Sequence, residues 1–558
     1  MNLNERVMNG SRGEVYNLKE IEKNLIFEAL KGVIKDREAL AICAYGSRIA
    51  GYAREDSDYD IIVALSKYRP RIKYSYIRGG LDLAALIVDG KSLMNDAEEA
   101  SLGEFVAGRL LNVYEVLLGN EFIGEVVRKL KGRVTLEIID EIVLAYGKMS
   151  TNFIIPVKYL LFEKLKKRAA LYPPALYSYV KTYRGERGKE NLRAALEGFL
   201  ESLKEMERQG WVSLDGDSFR IKDNYLKSRR FGSVKLALSH TKRGVVSYAV
   251  HGYAGRVGPD VIKKEIISKI SRSREVGTIP REIERPKSLW RVDEGLLIVD
   301  GRDWLQQVLG CLGLSEDAKI TRRAQEEPYE ALKVYTLDDD KNKVTIAVKN
   351  FKDIRSLKWA FLNLWSLPTK WFEMSPLSRL EREYVATRRL RELGLNTPQI
   401  ISLVLKERIM VSRFIEGMSL DKIVKGVIEG RSVDSSLISL YGENIARAHK
   451  YGYSLGDTKP SNAIVSDGKL FITDLEQSTE YGDPAWDIAL FVYYSNKLTM
   501  SVDGARIVTR AFLEGYLKSG DVNTIKKALS PDYMAPFQAI IAPNVLRTVR
   551  NEMSKAIS

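Results

Sequence analysis

The chain has 558 residues, of which 45% are hydrophobic and 29% are charged, so we expect several globular domains instead of one core. Its net charge is +14, no window approaches the roughly 18 uninterrupted apolar residues of a membrane span, and the first residues form no apolar signal core, which favours a soluble cytoplasmic protein without a membrane partner. The two cysteines, Cys43 and Cys311, have apolar neighbours, which excludes a disulfide framework and predicts buried thiols.

The first predicted elements are a helix and a strand. Residues 18–35 have helical amphipathic spacing, and residues 40–45 form an apolar run typical of a buried strand. Gly46 and Ser47 follow that strand directly. Backbone N–H groups and a hydroxyl at such a turn can bind the phosphates of a nucleoside triphosphate.

Three aspartates follow on predicted neighbouring strands. After a spacer of ten residues that follows Ser47, Asp58 and Asp60 alternate with apolar residues, so both carboxylates point to the same face of a strand. Asp82 has the same alternation in the next strand, over 81–88. Three carboxylates on adjacent strands would hold two Mg²⁺ ions, an arrangement that promotes in-line displacement at phosphorus.

This pattern of Gly-Ser, a spacer, Asp-x-Asp and a later strand aspartate resembles the nucleotidyltransferase fold of the DNA polymerase β superfamily. The resemblance implies an α/β domain over residues 1–125. It also implies that the glycine-serine pair binds nucleotide phosphates and that the three aspartates bind Mg²⁺ or Mn²⁺.

The middle of the chain is predicted to be helical over 126–225. Its last helix, over 191–209, precedes two short strands within 211–221. This order resembles a winged helix, a fold often used on nucleic acid, although packing between domains explains it equally well.

A basic segment follows, and we expect residues 226–310 to be a linker or accessory domain. Residues 220–290 carry 17 Lys and Arg against 6 Asp and Glu, an excess of 11 positive charges. Such a segment either binds the phosphate backbone of RNA or serves only as a surface that keeps the protein soluble. The candidate RNA-binding residues are Arg229, Arg230, Lys242, Arg243, Lys263 and Lys264.

A hairpin predicted over 332–349 ends in Lys349. Residues 347–349 resemble the strand of protein-kinase-like domains whose lysine neutralises nucleotide phosphates, and that resemblance implies a helix glutamate as its partner. The helix predicted over 380–393 offers Glu383 as that partner, with Glu381 as the rival.

The most informative stretch of the chain is residues 455–476. It contains Asp457, Lys459 and Asn462, and Asp474 follows after a short predicted hairpin. Phosphoryl transfer uses these residue types: an aspartate that takes the proton of the attacking hydroxyl, an asparagine and a second aspartate that hold Mg²⁺, and a lysine near the transferred charge.

Together these residues resemble the protein-kinase-like fold, most of all the atypical RIO kinases and the small kinase subunit of the tRNA-threonylcarbamoylation complex. The resemblance implies a bilobal domain over 311–558 that uses ATP and Mg²⁺ or Mn²⁺. It implies a hinge at 410–417 that reads adenine, with Glu416 as a nucleotide-binding candidate, and a buried Asp487 that supports the catalytic loop.

The sequence also departs from typical protein kinases. No glycine-rich loop is recognisable within 318–335, residues 455–456 are Leu-Gly instead of His-Arg, and residues 474–476 are Asp-Leu-Glu instead of Asp-Phe-Gly. The missing arginine makes control by activation-loop phosphorylation unexpected, and because no Ala-Pro-Glu follows, a peptide-docking lobe is not expected either.

The sequence therefore predicts a multidomain α+β protein whose leading function is an ATP- and Mg²⁺-dependent kinase acting on RNA, first of all tRNA. Three alternatives stay open: a RIO-like Ser/Thr protein kinase, a nucleotidyltransferase for RNA or protein with a regulatory ATP-binding domain, and a non-catalytic assembly factor that binds ATP.

Overall fold

The protein is described by a computed structural model that covers residues 18–35, 37–69, 71–173, 175–228, 278–323, 332–352, 373–431, 434–497 and 499–558. The six candidate RNA-binding residues lie outside these ranges, as does most of the basic segment. The fold is mixed α+β, and the chain divides into two compact units, the N-terminal unit Met1–Arg291 and the C-terminal unit Val292–Ser558.

The N-terminal unit contains a five-stranded sheet with the order β3-β4-β2-β1-β5. Its strands are β1 (Ala39–Tyr45), β2 (Tyr59–Leu65), β3 (Ile72–Ile77), β4 (Leu83–Asp89) and β5 (Tyr114–Leu118). Neighbouring strands are antiparallel except for β2 and β4, which run parallel. The structure confirms the predicted strands β1, β2 and β4, which are almost wholly buried. Strand β3 was not predicted, because this edge strand buries only its first residue and lacks a clear apolar pattern.

Helices surround this sheet and continue into the middle of the chain. They are α1 (Glu20–Ile34), α2 (Ser47–Ala50), α3 (Gly90–Glu99), α4 (Asn120–Tyr146), α5 (Lys158–Leu171), α6 (Ala175–Thr182), α7 (Gly185–Arg208), α8 (Asp223–Ser228) and α9 (Arg281–Glu284). The apolar faces of α1, β1, β2 and β4 share one core, in which Ile26, Ile61 and Ala85 are fully buried.

A buried lysine lies where α4 packs on α7. Lys131 is 2% exposed, and its Nζ donates a hydrogen bond of 2.7 Å to the carbonyl oxygen of Ala195. Gly198 leaves room for it, since a Cβ at that position would lie 2.7 Å from Lys131 Cδ. Burial lowers the pKa of Lys131 to about 8, because the charged ammonium loses its hydration there.

An ionic cluster, which we call the Glu104 cluster, joins the loop after α3 to α4 and α5. The Glu104 carboxylate contacts Lys164 Nζ at 2.5 Å, Arg133 Nη2 at 2.8 Å and Arg168 Nη1 at 3.4 Å. Glu137 contacts Arg133 Nη1 at 2.7 Å. Burial alone would raise the pKa of Glu104, but the three cations outweigh it and hold that pKa well below its usual range.

The predicted helix followed by a hairpin is present at the end of α7. Strands β7 (Val212–Asp215) and β8 (Ser218–Ile221) are antiparallel, and β6 (Ile155–Pro156) extends them to a three-stranded sheet. The winged-helix assignment and its nucleic-acid role stay predictions.

The C-terminal unit opens with a six-stranded sheet of order β10-β11-β12-β14-β13-β9. Its strands are β9 (Leu296–Ile298), β10 (Lys319–Arg322), β11 (Leu332–Asp338), β12 (Lys343–Asn350), β13 (Ile400–Val404) and β14 (Ile409–Arg413). Strand β9 pairs in parallel with β13, so this unit begins earlier in the chain than the predicted residue 311.

The rest of the C-terminal unit is mostly helical around a large apolar core. The helices are α10 (Trp304–Cys311), α11 (Pro376–Glu392), α12 (Leu420–Ile428), α13 (Ser436–Lys450), α14 (Pro484–Ser495), α15 (Val502–Leu517), α16 (Val522–Ala528), α17 (Pro531–Met534) and α18 (Pro543–Ile557). Short strands accompany them, namely β15 (Met418–Ser419), β16 (Tyr453–Ser454), β17 (Ala463–Ser466), β18 (Lys469–Ile472) and β19 (Thr479–Glu480).

Two expectations about the whole chain can be compared with this fold. Cys43 is buried as predicted, but Cys311 is exposed, because it is the last residue of α10 and its apolar neighbours do not enclose it. None of the helices in the described ranges combines the length and apolar character that a membrane crossing requires.

Candidate active site

The predicted lysine and helix glutamate meet in the C-terminal unit. Lys349 lies on β12, and its Nζ contacts Glu383 of α11 at 3.1 Å, which confirms this pairing. The same ammonium contacts Asp474 Oδ1 at 2.5 Å and Glu476 Oε2 at 3.3 Å. Three carboxylates from two distant parts of the chain therefore share one lysine, and we call this group the Lys349 cluster.

Charge crowding shifts the protonation of the Lys349 cluster. Burial raises the pKa of Glu383 to about 7, because Lys349 stabilises its charge only in part while Asp474 and Glu476 repel it. Burial would also raise the pKa of Asp474, but Lys349 outweighs it and holds that pKa below its usual range. The three carboxylates raise the pKa of Lys349, which overcomes the opposing effect of its burial.

The proposed base lies in the loop after β16. Asp457 Oδ2 accepts a hydrogen bond from Lys459 Nζ at 3.0 Å, and the Asn462 side chain donates to the Asp457 carbonyl oxygen at 2.8 Å. Asp457 Oδ1 is buried and has no hydrogen-bond partner in the part of the chain that the structure describes. Burial raises the pKa of Asp457. An acceptor with one unused buried oxygen is suited to bind a hydroxyl proton.

Asp487 of α14 holds this loop in place, as the sequence predicted. Its carboxylate accepts the backbone N–H groups of Leu455 at 2.6 Å and Gly456 at 2.7 Å. It also accepts from Ser454 Oγ at 3.0 Å and lies 3.0 Å from His449 Nε2. Gly456 has a φ of 76°, a backbone conformation that glycine adopts more readily than any other residue.

The metal-binding candidates Asn462 and Asp474 belong to connected segments. Thr473 donates from both its N–H and its hydroxyl to the Asn462 carbonyl oxygen, at 2.8 Å and 3.0 Å. Asp474 itself has a left-handed φ of 58°. The Asn462 side chain also donates to the Asp457 carbonyl oxygen at 2.8 Å, so hydrogen bonds connect the Asp457 loop with the segment that carries Asp474 into the Lys349 cluster.

The part of the fold around Glu416, where the sequence predicts nucleotide binding, includes the strands β10 and β11. Glu416 follows β14, is exposed, and forms an ion pair with Arg323 at the end of β10. Strands β10 and β11 are antiparallel neighbours, and their connection over 324–331 lies outside the described residues. The role of Glu416 in nucleotide binding stays a prediction.

The structure places the N-terminal candidates at one end of the five-stranded sheet. Gly46 follows β1 with a φ of 84°, and a Cβ at this position would lie 2.1 Å from Asp60 Oδ2, so only glycine fits beneath that carboxylate. Ser47 begins α2, while Asp58 and Asp82 directly precede the parallel strands β2 and β4. The Tyr59 N–H donates to the Asp82 carbonyl oxygen at 2.9 Å.

The described residues contain no group of three or more His, Cys, Asp and Glu side chains arranged to hold a metal ion. The structure therefore does not bring Asp58, Asp60 and Asp82 together as such a group, although the predicted strands are adjacent. Their metal binding stays a prediction. The candidate pair Asn462 and Asp474 is a different kind of site, because Mg²⁺ is often held by one or two side chains together with substrate phosphates.

Two contacts were missed by the sequence reasoning. Arg379 in the first turn of α11 binds both oxygens of Glu476, at 2.7 Å and 2.8 Å. Gln477 exchanges two hydrogen bonds with the backbone of Glu373, at 2.8 Å and 3.2 Å. The sequence offered no local signal for the first contact, because 97 residues separate Arg379 from Glu476.

Comparison with known proteins gives a partial match. No family model matches this chain. Over 97 residues, 17% of the chain, it is 31% identical to the KEOPS complex subunit Bud32 of Pyrococcus abyssi (strain GE5 / Orsay), and the match spans 43% of that protein. This similarity supports the predicted kinase-like domain, while the nucleotidyltransferase-like domain stays a prediction.

Two solved structures share distant likeness. The chain aligns with WaaP in complex with acyl carrier protein at 14% identity and a TM-score of 0.26, covering 46% of this chain and 94% of that one. It aligns with a Plasmodium vivax ethanolamine kinase at 11% identity and a TM-score of 0.28, covering 42% and 81%. Both scores are too low to support a fold assignment.

Proposed function

We propose that the C-terminal unit is an ATP- and Mg²⁺-dependent phosphotransferase that phosphorylates RNA, with tRNA as the first acceptor to test. The observation that carries this proposal is the hydrogen-bonded connection, through Asn462 and Thr473, between Asp457, with its unused buried oxygen, and Asp474 of the Lys349 cluster. The local similarity to Bud32 supports the same class of domain.

The residues present fit a magnesium ion. Asn462 and Asp474 would hold it through oxygen atoms, which Mg²⁺ prefers. The surrounding Lys349 cluster has three carboxylates against Lys349 and Arg379, so one more positive group would balance its charge. When bound, the ion would neutralise phosphate charge.

The chain's own residues would then divide the chemistry. Asp457 takes the proton of the acceptor hydroxyl while the acceptor oxygen forms a bond to the γ-phosphorus and the bond to the β–γ bridging oxygen breaks. Lys459 donates a hydrogen bond of 3.0 Å to Asp457 Oδ2 and so leaves Oδ1 to accept the proton. Its ammonium also faces the negative charge of the transferred phosphoryl group. Lys349 neutralises the nucleotide phosphates. The products are ADP and a phosphorylated acceptor.

RNA is favoured over other acceptors by the excess of 11 positive charges in residues 220–290. Each neutralised phosphate should contribute about 0.7 to the slope of log affinity against log salt for single strands, and about 0.9 for duplexes. Strong salt dependence of RNA binding would therefore accompany the activity. Salt-insensitive binding would contradict an RNA acceptor.

The decisive experiment follows label from ATP into an RNA extract and a protein extract in parallel. With γ-labelled ATP, we expect labelled RNA from the wild type, and a loss of about 10²- to 10⁴-fold in Asp457→Asn. Asp467→Asn is the matched control, because Asp467 lies in the exposed turn of the neighbouring β17–β18 hairpin. Lys349→Met should also lose activity, whereas Lys333→Met on the adjacent strand β11 should keep it.

Other outcomes identify other functions. Label from γ-phosphate on protein alone would favour a RIO-like Ser/Thr protein kinase. Label from α-phosphate that is lost in Asp58→Asn or Asp60→Asn would assign the reaction to the N-terminal unit as a nucleotidyltransferase. Tight ATP binding without transfer of either phosphate would favour a non-catalytic assembly factor.

A further inference from the structure

The loop over 474–478 contacts three other segments of the proposed active site. Asp474 and Glu476 reach Lys349 of β12, Gln477 bonds to the backbone just before α11, and Ser478 Oγ donates to the Leu455 carbonyl oxygen at 3.1 Å. This loop thus joins the strand lysine, helix α11 and the catalytic loop. Glu476 stands where typical kinases have glycine, so its contacts require an explanation of their own.

Glu476 forms a buried ion pair with Arg379. Its two oxygens lie 2.7 Å and 2.8 Å from Arg379 Nη2, and the two side chains are 9% and 5% exposed. Both oxygens therefore accept from the same guanidinium nitrogen, while Oε2 also lies 3.3 Å from Lys349 Nζ. Phe351 is fully buried below the cations, with its ring centroid 5.2 Å from Lys349 Nζ and 5.8 Å from Arg379 Cζ.

We infer that Arg379 and Glu476 are positioning residues that neutralise each other and so reserve Lys349 for nucleotide phosphates and Asp474 for the metal ion. This inference rests on the proposed phosphotransferase function. Without Arg379, the Glu476 carboxylate, already 3.3 Å from Lys349, would compete for that ammonium. Without Glu476, Arg379 would compete for Asp474, with which it already interacts electrostatically.

Mutual neutralisation has a distinctive consequence for variants. Removing one partner leaves an unpaired buried charge beside the active groups, whereas removing both leaves none. The double variant Arg379→Met/Glu476→Met should therefore function better than either single variant. A role in catalysis by Glu476 itself would give the opposite order, because the double variant would lack the same essential carboxylate.

The test measures binding of ATP by the full chain across a Mg²⁺ titration, together with thermal unfolding. We expect Arg379→Met to weaken ATP binding and Glu476→Met to raise the half-saturating Mg²⁺ concentration, each by about tenfold or more, and the double variant to recover at least half of each loss on a logarithmic scale. Arg379→Lys and Glu476→Gln give milder single changes in case the methionine variants fold poorly. Arg388→Met is the matched control, because Arg388 lies on α11 but pairs with Asp293 outside the cluster.

The possible failures are distinguishable. If wild type binds no ATP with Mg²⁺, the proposed function fails and this inference fails with it. If wild type binds but the double variant is as defective as the worse single variant, only the inference fails. A defect confined to Glu476 variants would make Glu476 a direct ligand, and lower unfolding temperatures with unchanged ATP and Mg²⁺ binding would make the pair merely structural; either result overturns the positioning role.

Discussion

The two units contain buried ionic clusters of opposite composition. In the Glu104 cluster, Glu104 and Glu137 face Lys164, Arg133 and Arg168, so cations are in excess. In the Lys349 cluster, the carboxylates of Glu383, Asp474 and Glu476 surround Lys349. Carboxylates remain in excess even when the neighbouring Arg379, which pairs with Glu476, is counted.

This difference shows how a structural cluster can be told from a candidate site. Surplus cations around Glu104 hold its pKa low, which is the usual behaviour of a carboxylate that fixes neighbouring helices. In the Lys349 cluster, burial and the repulsion from Asp474 and Glu476 together raise the pKa of Glu383 to about 7. A divalent cation would stabilise the ionised form of these carboxylates. The sign of the imbalance, more than the number of ion pairs, separates the two roles.

The largest effect is expected from breaking the Glu104 cluster. Glu104→Ala leaves three cations close together in a buried site and should cost about 3–5 kcal/mol of unfolding free energy in the N-terminal unit. Urea unfolding, with hydrogen exchange of the α4 amides to identify the unit that unfolds, measures it. The surface variant Glu186→Ala, which removes an exposed pair with Lys189, is the control. Equal stability of the two variants would contradict a structural role for the cluster.

A smaller, pH-dependent effect is expected in the Lys349 cluster. The pKa of Glu383 rises from the usual 4.5 to about 7, so the folded state holds this proton more tightly than the unfolded state. Its contribution to stability is complete below pH about 4.5 and is lost as pH rises through about 7, amounting to about 3 kcal/mol. Unfolding of the nucleotide-free protein from pH 4.5 to 8 should show this decline in wild type and a flatter curve in Glu383→Gln. Parallel curves would disprove it.

The smallest effect is expected from Lys131, whose pKa is lowered in the folded protein, whereas that of Glu383 is raised. Because its pKa falls to about 8, the unfolded state holds this proton more tightly, and stability should rise as pH increases from about 8 towards 10.5. Lys131→Met fits the space beside Gly198 and should stabilise the protein by about 1–2 kcal/mol at pH 7 without that rise. Lys129→Met, on the exposed side of α4, is the control in urea unfolding. A destabilised Lys131→Met would show that its hydrogen bond outweighs its buried charge.

Much of the fold could be predicted from local patterns. The apolar runs predicted β1, β2 and β4, and the hairpin ending in Lys349 is present as β11 and β12. The pairing of Lys349 with Glu383 and the support of the catalytic loop by Asp487 were also correct. These features follow from spacing within single elements or from a resemblance carried by contiguous motifs.

Contacts between distant segments could not be predicted in the same way. Arg379 and Glu476 are 97 residues apart, and nothing in either local sequence specifies the other. Strand β9 joined the C-terminal sheet through a parallel pairing with β13, which three residues of apolar sequence do not reveal. The aspartates of the N-terminal unit show the converse. Asp58 and Asp82 directly precede two adjacent strands, yet this adjacency does not produce a metal-binding group among the described residues.

The left-handed backbone conformation of Asp474 decides which substitution is best for an inactive variant that would trap a substrate of the proposed phosphotransferase. Its φ of 58° is tolerated by aspartate and asparagine better than by alanine. Asp474→Asn would therefore remove the carboxylate charge while preserving the peptide geometry, whereas Asp474→Ala would add strain of about 1–2 kcal/mol to a chemical change. A trapped complex for testing the proposed phosphotransferase is best sought with the asparagine form, which keeps the backbone conformation at residue 474.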